Sequence, residues 1–220
     1  MSVLVLVSRI WQSHRWSAVL SLASAVFFVR LGREVSEHEL DAFDSAIQGT
    51  VNTWRGSLDG LMVLLTQGGS FLPMALVTAA GVAALLSARR PREARHLLLS
   101  SVGCVLLNLG LKLAFHRMRP NLEVPYLLPR PTSWSFPSGH TMGSVGVIGS
   151  LVVITRALSP ARLIWRVTAA VGCALIVGVA LSRVYLGAHY PSDVLGGLLA
   201  GAAWLSAVTG WVYPRLAGSR

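Results

Sequence analysis

The sequence has little charge, and least of all negative charge. Only 13% of its 220 residues are charged, with nine Asp and Glu against 19 Lys and Arg. With 53% hydrophobic residues and a mean hydropathy of +0.60, the chain lacks the polar surface of an ordinary soluble domain. Its two cysteines, Cys104 and Cys173, have no metal-site or redox spacing. Both lie inside apolar runs and read as small buried hydrophobes. The basic residues form no single stripe of the kind nucleic acid requires, so no nucleic-acid partner is expected. They sit in short clusters between apolar runs, the pattern of loops kept in the cytoplasm. Residues 3–7 are too short an apolar stretch for a span or a signal-peptide core. These absences leave a polytopic membrane protein, one membrane-embedded domain over residues 1–220, with the lipid bilayer as its partner. Nothing in the sequence speaks to oligomeric state.

The apolar runs supply the fold. Residues 16–31 are apolar except for Arg30, follow Arg9 and Arg15, and read as a signal-anchor first span, with a signal peptide as the alternative. Residues 61–88 exceed the roughly 20 that a span needs. Gln67-Gly68-Gly69-Ser70 and Pro73 predict a break or kink there, with 71–88 as the spanning part. A third span covers 97–115, entered through Arg89, Arg90, Arg92 and Arg95. Residues 116–137, with five prolines, form a loop. Residues 138–158, 163–181 and 190–212 give spans four to six. Gly139-x3-Gly143 and Gly197-x3-Gly201 predict close helix packing. Trp11, Trp16, Trp165, Trp211 and Tyr213 fall near span ends, as interfacial belt residues do. Residues 33–59 hold six of the nine acidic residues. Leu40, Phe43, Ile47, Val51 and Trp54 recur there at helical spacing, which predicts an amphipathic helix at a membrane surface; a solvated acidic loop is the alternative. The expected fold is all-α: a six-transmembrane-helix bundle with an amphipathic extracytoplasmic helix.

Orientation follows from the arginines. The N-terminus, the 88–95 and 156–166 loops and the C-terminus carry eleven Arg against Glu93 alone. That places both termini in the cytoplasm of a multi-pass cell (inner) membrane protein, with the acidic 33–59 segment outside. The 112–137 segment then also lies outside, although it carries Lys112, Arg117, Arg119 and Arg130 against Glu123 only. Charges that run against the trend have another task.

Three groups fall on that extracytoplasmic face. Lys112 ends the third span and Arg119-Pro120 follows it. Pro137-Ser138-Gly139-His140 opens the fourth span. Arg183, His189 and Asp193 bracket the junction of spans five and six, where Pro191 suits a first helical position. His189 and Asp193, four apart, can meet across one helical turn. The carboxylate then orients the imidazole, as the acid of a catalytic triad does. Fixed cations, a helix start with free N–H groups and two histidines suit phosphate-ester chemistry. Singly, each piece reads as a snorkelling cation, a plain N-cap or a packed histidine. Together, in a membrane, they read as a site. A metal held by His140, His189 and Asp193 is conceivable but ranks lower, because three neighbouring cations would repel it.

Lys112-x6-Arg119-Pro120, Pro137-Ser138-Gly139-His140 and Ser182-Arg183-x5-His189-x3-Asp193 together resemble the type 2 phosphatidic acid phosphatases, and the membrane spans point to that family's integral-membrane lipid phosphatase branch. The signature region is 112–193, and no signature position departs from the pattern. The resemblance implies His189 as the nucleophile that forms a phosphohistidine, with Asp193 orienting it and His140 as the acid and base. Lys112, Arg119, Ser138, Gly139 and Arg183 would hold the phosphate. No metal and no cofactor is implied. The expected partner is a lipid phosphate: undecaprenyl pyrophosphate, phosphatidic acid or phosphatidylglycerol phosphate. The sequence does not choose among them, though apolar residues of the 122–128 stretch and Trp134 offer it surface. Two other readings stay open, a vanadate-dependent haloperoxidase-like enzyme and a catalytically idle membrane lipid-binding or transport protein.

Overall fold

The computed structural model describes residues 14–120 and 132–213, all of them helix, turn or loop. The helices are α1 (His14–Ser36), α2 (Asp41–Asn52), α3 (Asp59–Gly68), α4 (Phe71–Ser87), α5 (Pro91–Phe115), α6 (Gly139–Leu158), α7 (Arg162–Tyr185) and α8 (Pro191–Val212). A π-helical turn at Val145–Gly149 interrupts α6. Among the described residues, α5, α6, α7 and α8 are long and apolar enough to cross a membrane. Helices α3 and α4, bent by 46°, make a fifth span if counted as one. The bend falls at Gly69-Ser70, inside the expected break, and Pro73 sits in the first turn of α4, where a proline is tolerated. The helix over the expected first span, α1, falls short of the same measure. It runs on to Ser36 through Arg30, Arg33 and Glu34, with Arg30 paired to Glu34 and Arg33 to Glu37 along its exposed side.

Helix α8 is the centre of the bundle. It lies along α1 and touches α5, α6 and α7. Ser21 donates to the Ala203 carbonyl at 2.9 Å across the α1–α8 seam. A Cβ at Gly197 would stand 2.7 Å from the Ser138 carbonyl oxygen, so only glycine lets α8 approach the start of α6. Gly201 packs in the same way on Val145. Gly143 departs from the expected packing role: nothing lies within 4 Å of its would-be Cβ, and it lines a cavity instead.

Outward faces carry exposed Leu22, Phe71, Leu106 and Leu163. Water would penalise such a surface, whereas lipid makes no demand on it. Cys173 belongs to this outer face of α7 and is exposed, unlike the buried Cys104. Lipid and core are alike apolar, so the sequence could not tell them apart. At the site end, Phe28 of α1 stacks on Phe136 with centroids 5.6 Å apart, and Phe115 of α5 meets Phe136 edge-on at 4.7 Å. Full burial of Phe136 contributes about 2–3 kcal/mol and fixes the segment that enters α6.

The amphipathic helix forms as α2, but its inward stripe differs from the expected one. Phe43 and Trp54 stay exposed, while Asp44, Gln48 and Val51 are buried. The apolar stretch at 122–128 and Arg130 lie outside the described residues, as do 1–13 and 214–220.

Candidate active site

The C-terminal end of α5, the N-terminal ends of α6 and α8, and the end of α7 converge on one side of the bundle. Between α7 and α8 the chain reverses at Gly187, whose φ of +67° favours glycine. The backbone N–H groups of Ala188 and His189 both donate to the Arg183 carbonyl, at 3.0 and 3.2 Å. Arg183 and His189 are thereby locked into one turn.

His189 is 1% exposed. Its Nδ1 faces Asp193 Oδ2 at 3.3 Å and Ser135 Oγ at 3.3 Å. Asp193 Oδ2 also accepts from the Tyr190 N–H at 2.9 Å and from the Ser135 hydroxyl, while Oδ1 accepts from Arg117 at 2.7 Å. This network assigns the imidazole proton to Nδ1, which leaves a lone pair on Nε2. Arg119 Nη1 donates to that atom at 3.1 Å. Burial pushes the His189 imidazole down to about 3, with Asp193 pulling it up and Arg119 and Arg183 pulling it further down. At neutral pH the ring is an uncharged base.

Three cations surround it. Arg119 also donates to the Ser133 carbonyl at 2.7 Å and to the Ala188 carbonyl at 2.5 Å. Lys112 donates to the Trp134 carbonyl. Arg183 donates from Nη1 to Thr66 at 2.5 Å, and its buried Nε has no hydrogen-bond partner. Lys112, Arg119, Arg183, Gly139, His140 and His189 line one cavity. Ser138 does not line it. Its N–H donates to the Asp193 carbonyl at 2.9 Å and its hydroxyl accepts from Thr141 at 3.1 Å, so it ties the α6 start to α8 from behind. Asn108, one turn before Lys112, steadies the same segment by donating to the Pro137 carbonyl at 3.1 Å.

The structure therefore brings seven of the eight expected residues into direct contact with the cavity or with His189, and sets Ser138 behind them. Sequence reasoning passed over Asp44, Ser135 and Asn108, and noted Arg117 only as a charge against the trend. The carboxylate oxygens of Asp193 are engaged by Arg117, Ser135, Tyr190 and His189, and no group of three His, Cys, Asp or Glu among the described residues is placed to hold a metal ion. What the arrangement offers is a neutral nitrogen lone pair, a second histidine and three cations around a space suited to a tetrahedral oxyanion.

The cavity measures about 680 Å³. From the cationic end it continues between α4 and α5 as an apolar groove along Met74, Ala79, Val82, Leu98, Val105 and Leu109.

Comparison with known proteins identifies the chain's relatives. The chain is 36% identical over 154 residues to an undecaprenyl-diphosphatase of Sulfolobus acidocaldarius, covering 68% of each chain. It is 31% identical over 194 residues to phosphatidylglycerophosphatase B of Bacillus subtilis, covering 84% of this chain and 91% of that one. The crystal structure of a transmembrane PAP2 type phosphatidylglycerolphosphate phosphatase from Bacillus subtilis superposes with a TM-score of 0.77 at 27% identity, over 87% of this chain and 95% of that one. Residues 93–217 match the PAP2 superfamily, and the chain belongs to it.

Proposed function

We propose that this membrane lipid phosphatase works through a phosphohistidine on His189 and takes its substrate with the phosphate among the cations and a lipid tail in the α4–α5 groove. The carrying observation is the continuity of the cavity, cationic and histidine-lined at one end and apolar along its length. Nε2 of His189 attacks phosphorus as the bond to the leaving oxygen breaks. His140, whose ring lines the cavity, gives that oxygen a proton; the bound phosphate provides an ion partner for its imidazolium form. His140 then removes a proton from water as the water attacks phosphorus. The P–N bond breaks, phosphate leaves, and both imidazoles return to their starting state. Lys112, Arg119, Arg183 and the Gly139 backbone hold the phosphoryl oxygens as charge develops. For this Lys112 gives up the Trp134 carbonyl, and Arg119 gives up the Ser133 and Ala188 carbonyls and Nε2 of His189, which frees that lone pair for attack.

The arginine-rich loops lie at the end of the bundle opposite the site, in keeping with cytoplasmic termini and an extracytoplasmic active site in the cell membrane. The substrate classes put forward are undecaprenyl pyrophosphate, phosphatidic acid and phosphatidylglycerol phosphate, the first and last echoed in the names of the relatives. Phosphate release from these three lipids by purified protein in detergent tests the reading. Filling the groove sharpens it. Ala75 lines the groove, so Ala75→Trp should lower kcat/KM for a lipid phosphate by about tenfold or more, as expected when a bulky group displaces several buried methylenes. Turnover of p-nitrophenyl phosphate should stay within about twofold, since it needs only the cationic end. Equal losses on both substrates would remove the groove from the account.

A further inference from the structure

Asp44 lies on α2, a surface helix far from the signature residues in sequence, yet it is 1% exposed. Its Oδ2 accepts from Arg117 Nη2 at 2.8 Å and from the Ser192 hydroxyl at 2.5 Å, and its Oδ1 accepts from the Ser192 N–H at 2.8 Å. Arg117 turns its other nitrogen, Nη1, to Asp193 and Ser192, each at 2.7 Å. Its guanidinium stands 4.2 Å from the centre of the Tyr190 ring. One turn further along α2, Gln48 donates to the Val184 carbonyl at 3.0 Å. Helix α2 is thus pinned to the α7–α8 junction by two polar side chains on one face.

We propose that Arg117, held in place by Asp44, is a positioning residue that fixes Asp193 and through it the nucleophile His189, which ties Asp44 of α2 to the active site. The inference rests on the reading of His189 as nucleophile. A carboxylate as buried as Asp193 needs a charged partner, and a neutral His189 does not supply one. Arg117 supplies it from the far side. Its planar fork suits two carboxylates at once, and pairing with Asp44 and Asp193 leaves it one orientation. Freed of Arg117, Asp193 would draw a proton onto His189 and swing away from the geometry that aims Nε2 at phosphorus. The cations that touch phosphate are other residues, Lys112, Arg119 and Arg183, so binding is left intact.

The test is steady-state hydrolysis of p-nitrophenyl phosphate by purified variants, with thermal stability measured in parallel. Arg117→Gln should lower kcat about 10- to 100-fold, the usual loss when the partner behind a primary group is removed, while KM stays within about twofold. Arg117→Lys keeps the charge but loses the fork, so it should recover part of kcat. Asp44→Asn should lower kcat in the same sense by less. On an Asp193→Asn background, Arg117→Gln should cost little more, because the two act as a unit. Gln48→Leu, which loosens α2 without touching Asp193, should lower Tm and leave kcat alone. The inference is overturned if folded Arg117→Gln keeps its kcat, if its cost is unchanged beside Asp193→Asn, or if Gln48→Leu matches Asp44→Asn in kcat. Should Arg117→Gln not fold, wild-type kcat in both Arg117→Lys and Asp44→Asn overturns it. His189→Ala runs alongside: a live His189→Ala sinks the underlying reading, whereas a dead one with an unaffected Arg117→Gln sinks the inference alone.

Discussion

His189 and His96 are both all but inaccessible, at 1% and 0% exposure, yet their surroundings differ in kind. His96 lies toward the far end of the bundle, where Nδ1 meets the Ser150 hydroxyl at 2.7 Å and Nε2 the Thr209 hydroxyl at 3.0 Å. The Tyr213 ring closes over it at 5.2 Å. Both nitrogens are committed, to groups without charge, and the hydroxyl partners come from α6 and α8, with Tyr213 just past the end of α8. His189 commits one nitrogen to a carboxylate and turns the other to a cavity lined by three cations. The two ends are joined by one face of α5, which buries His96, Ser100, Cys104, Asn108 and Lys112 at four-residue spacing. Burial of an ionisable group in a membrane does not by itself make a site. A lone pair that faces an open space, held there by a cation as Arg119 holds Nε2 of His189, does.

The sharpest break between the two ends is expected from removing each histidine. His189→Ala should cost about 10⁵-fold or more in turnover, the scale on which loss of a nucleophile acts. Trapping ³²P on the wild-type protein from labelled substrate, with none on His189→Ala, checks the phosphohistidine directly. Label retained by His189→Ala but lost from His140→Ala would reverse the two roles.

A smaller effect is expected at His140, and it should depend on the leaving group. An alkoxide departs poorly without a proton, whereas p-nitrophenolate needs none. General acid catalysis is worth about 10²–10⁴-fold, so His140→Ala should lose that much on a lipid phosphomonoester. The p-nitrophenol burst on mixing with p-nitrophenyl phosphate should suffer far less. The burst is the useful measurement, because His140 also serves the hydrolysis step and would mask the difference in steady state. Equal losses on both substrates would assign His140 to binding rather than proton transfer.

Much of the site end was legible because its chemistry is local in sequence. His189 and Asp193 sit one helical turn apart, Pro191 marks the start of α8 and Ser138-Gly139-His140 the start of α6. Helix ends were off by a few residues where arginines flank an apolar run. Helix α5 begins at Pro91 rather than 97 and α7 continues to Tyr185, which carries Arg183 inside the helix. What stayed hidden depends on contacts across the fold. Asp44 and Ser192 are separated by 148 positions, and an acidic residue beside an apolar stripe gives no sign of which way it turns. Arg117 did leave a trace, as a cation on the side of the membrane where cations are scarce. His96 stands in the sequence with no motif around it. Its hydroxyl partners on α6 and α8 are common residues in any helix, so nothing marked them.

The smallest expected effect tests the far end. His96→Leu preserves bulk in the bundle and removes only the two interhelical hydrogen bonds. Such bonds between membrane helices average about 0.6 kcal/mol and reach about 1.7, and each freed hydroxyl can fall back on a carbonyl of its own helix, as Thr209 already does with Leu205 at 2.7 Å. The combined loss should therefore be about 1–3 kcal/mol of stability, seen as a Tm lower by several degrees. Turnover per folded molecule should stay within about twofold, because His96 does not line the cavity. His96→Ala should lower Tm further, since it adds a void to the lost bonds, and should leave turnover equally untouched. A His96→Leu protein with wild-type Tm and depressed kcat would overturn the contrast between the two ends. It would mean that the buried face of α5 carries something from His96 to Lys112, and His96 would then belong to the mechanism.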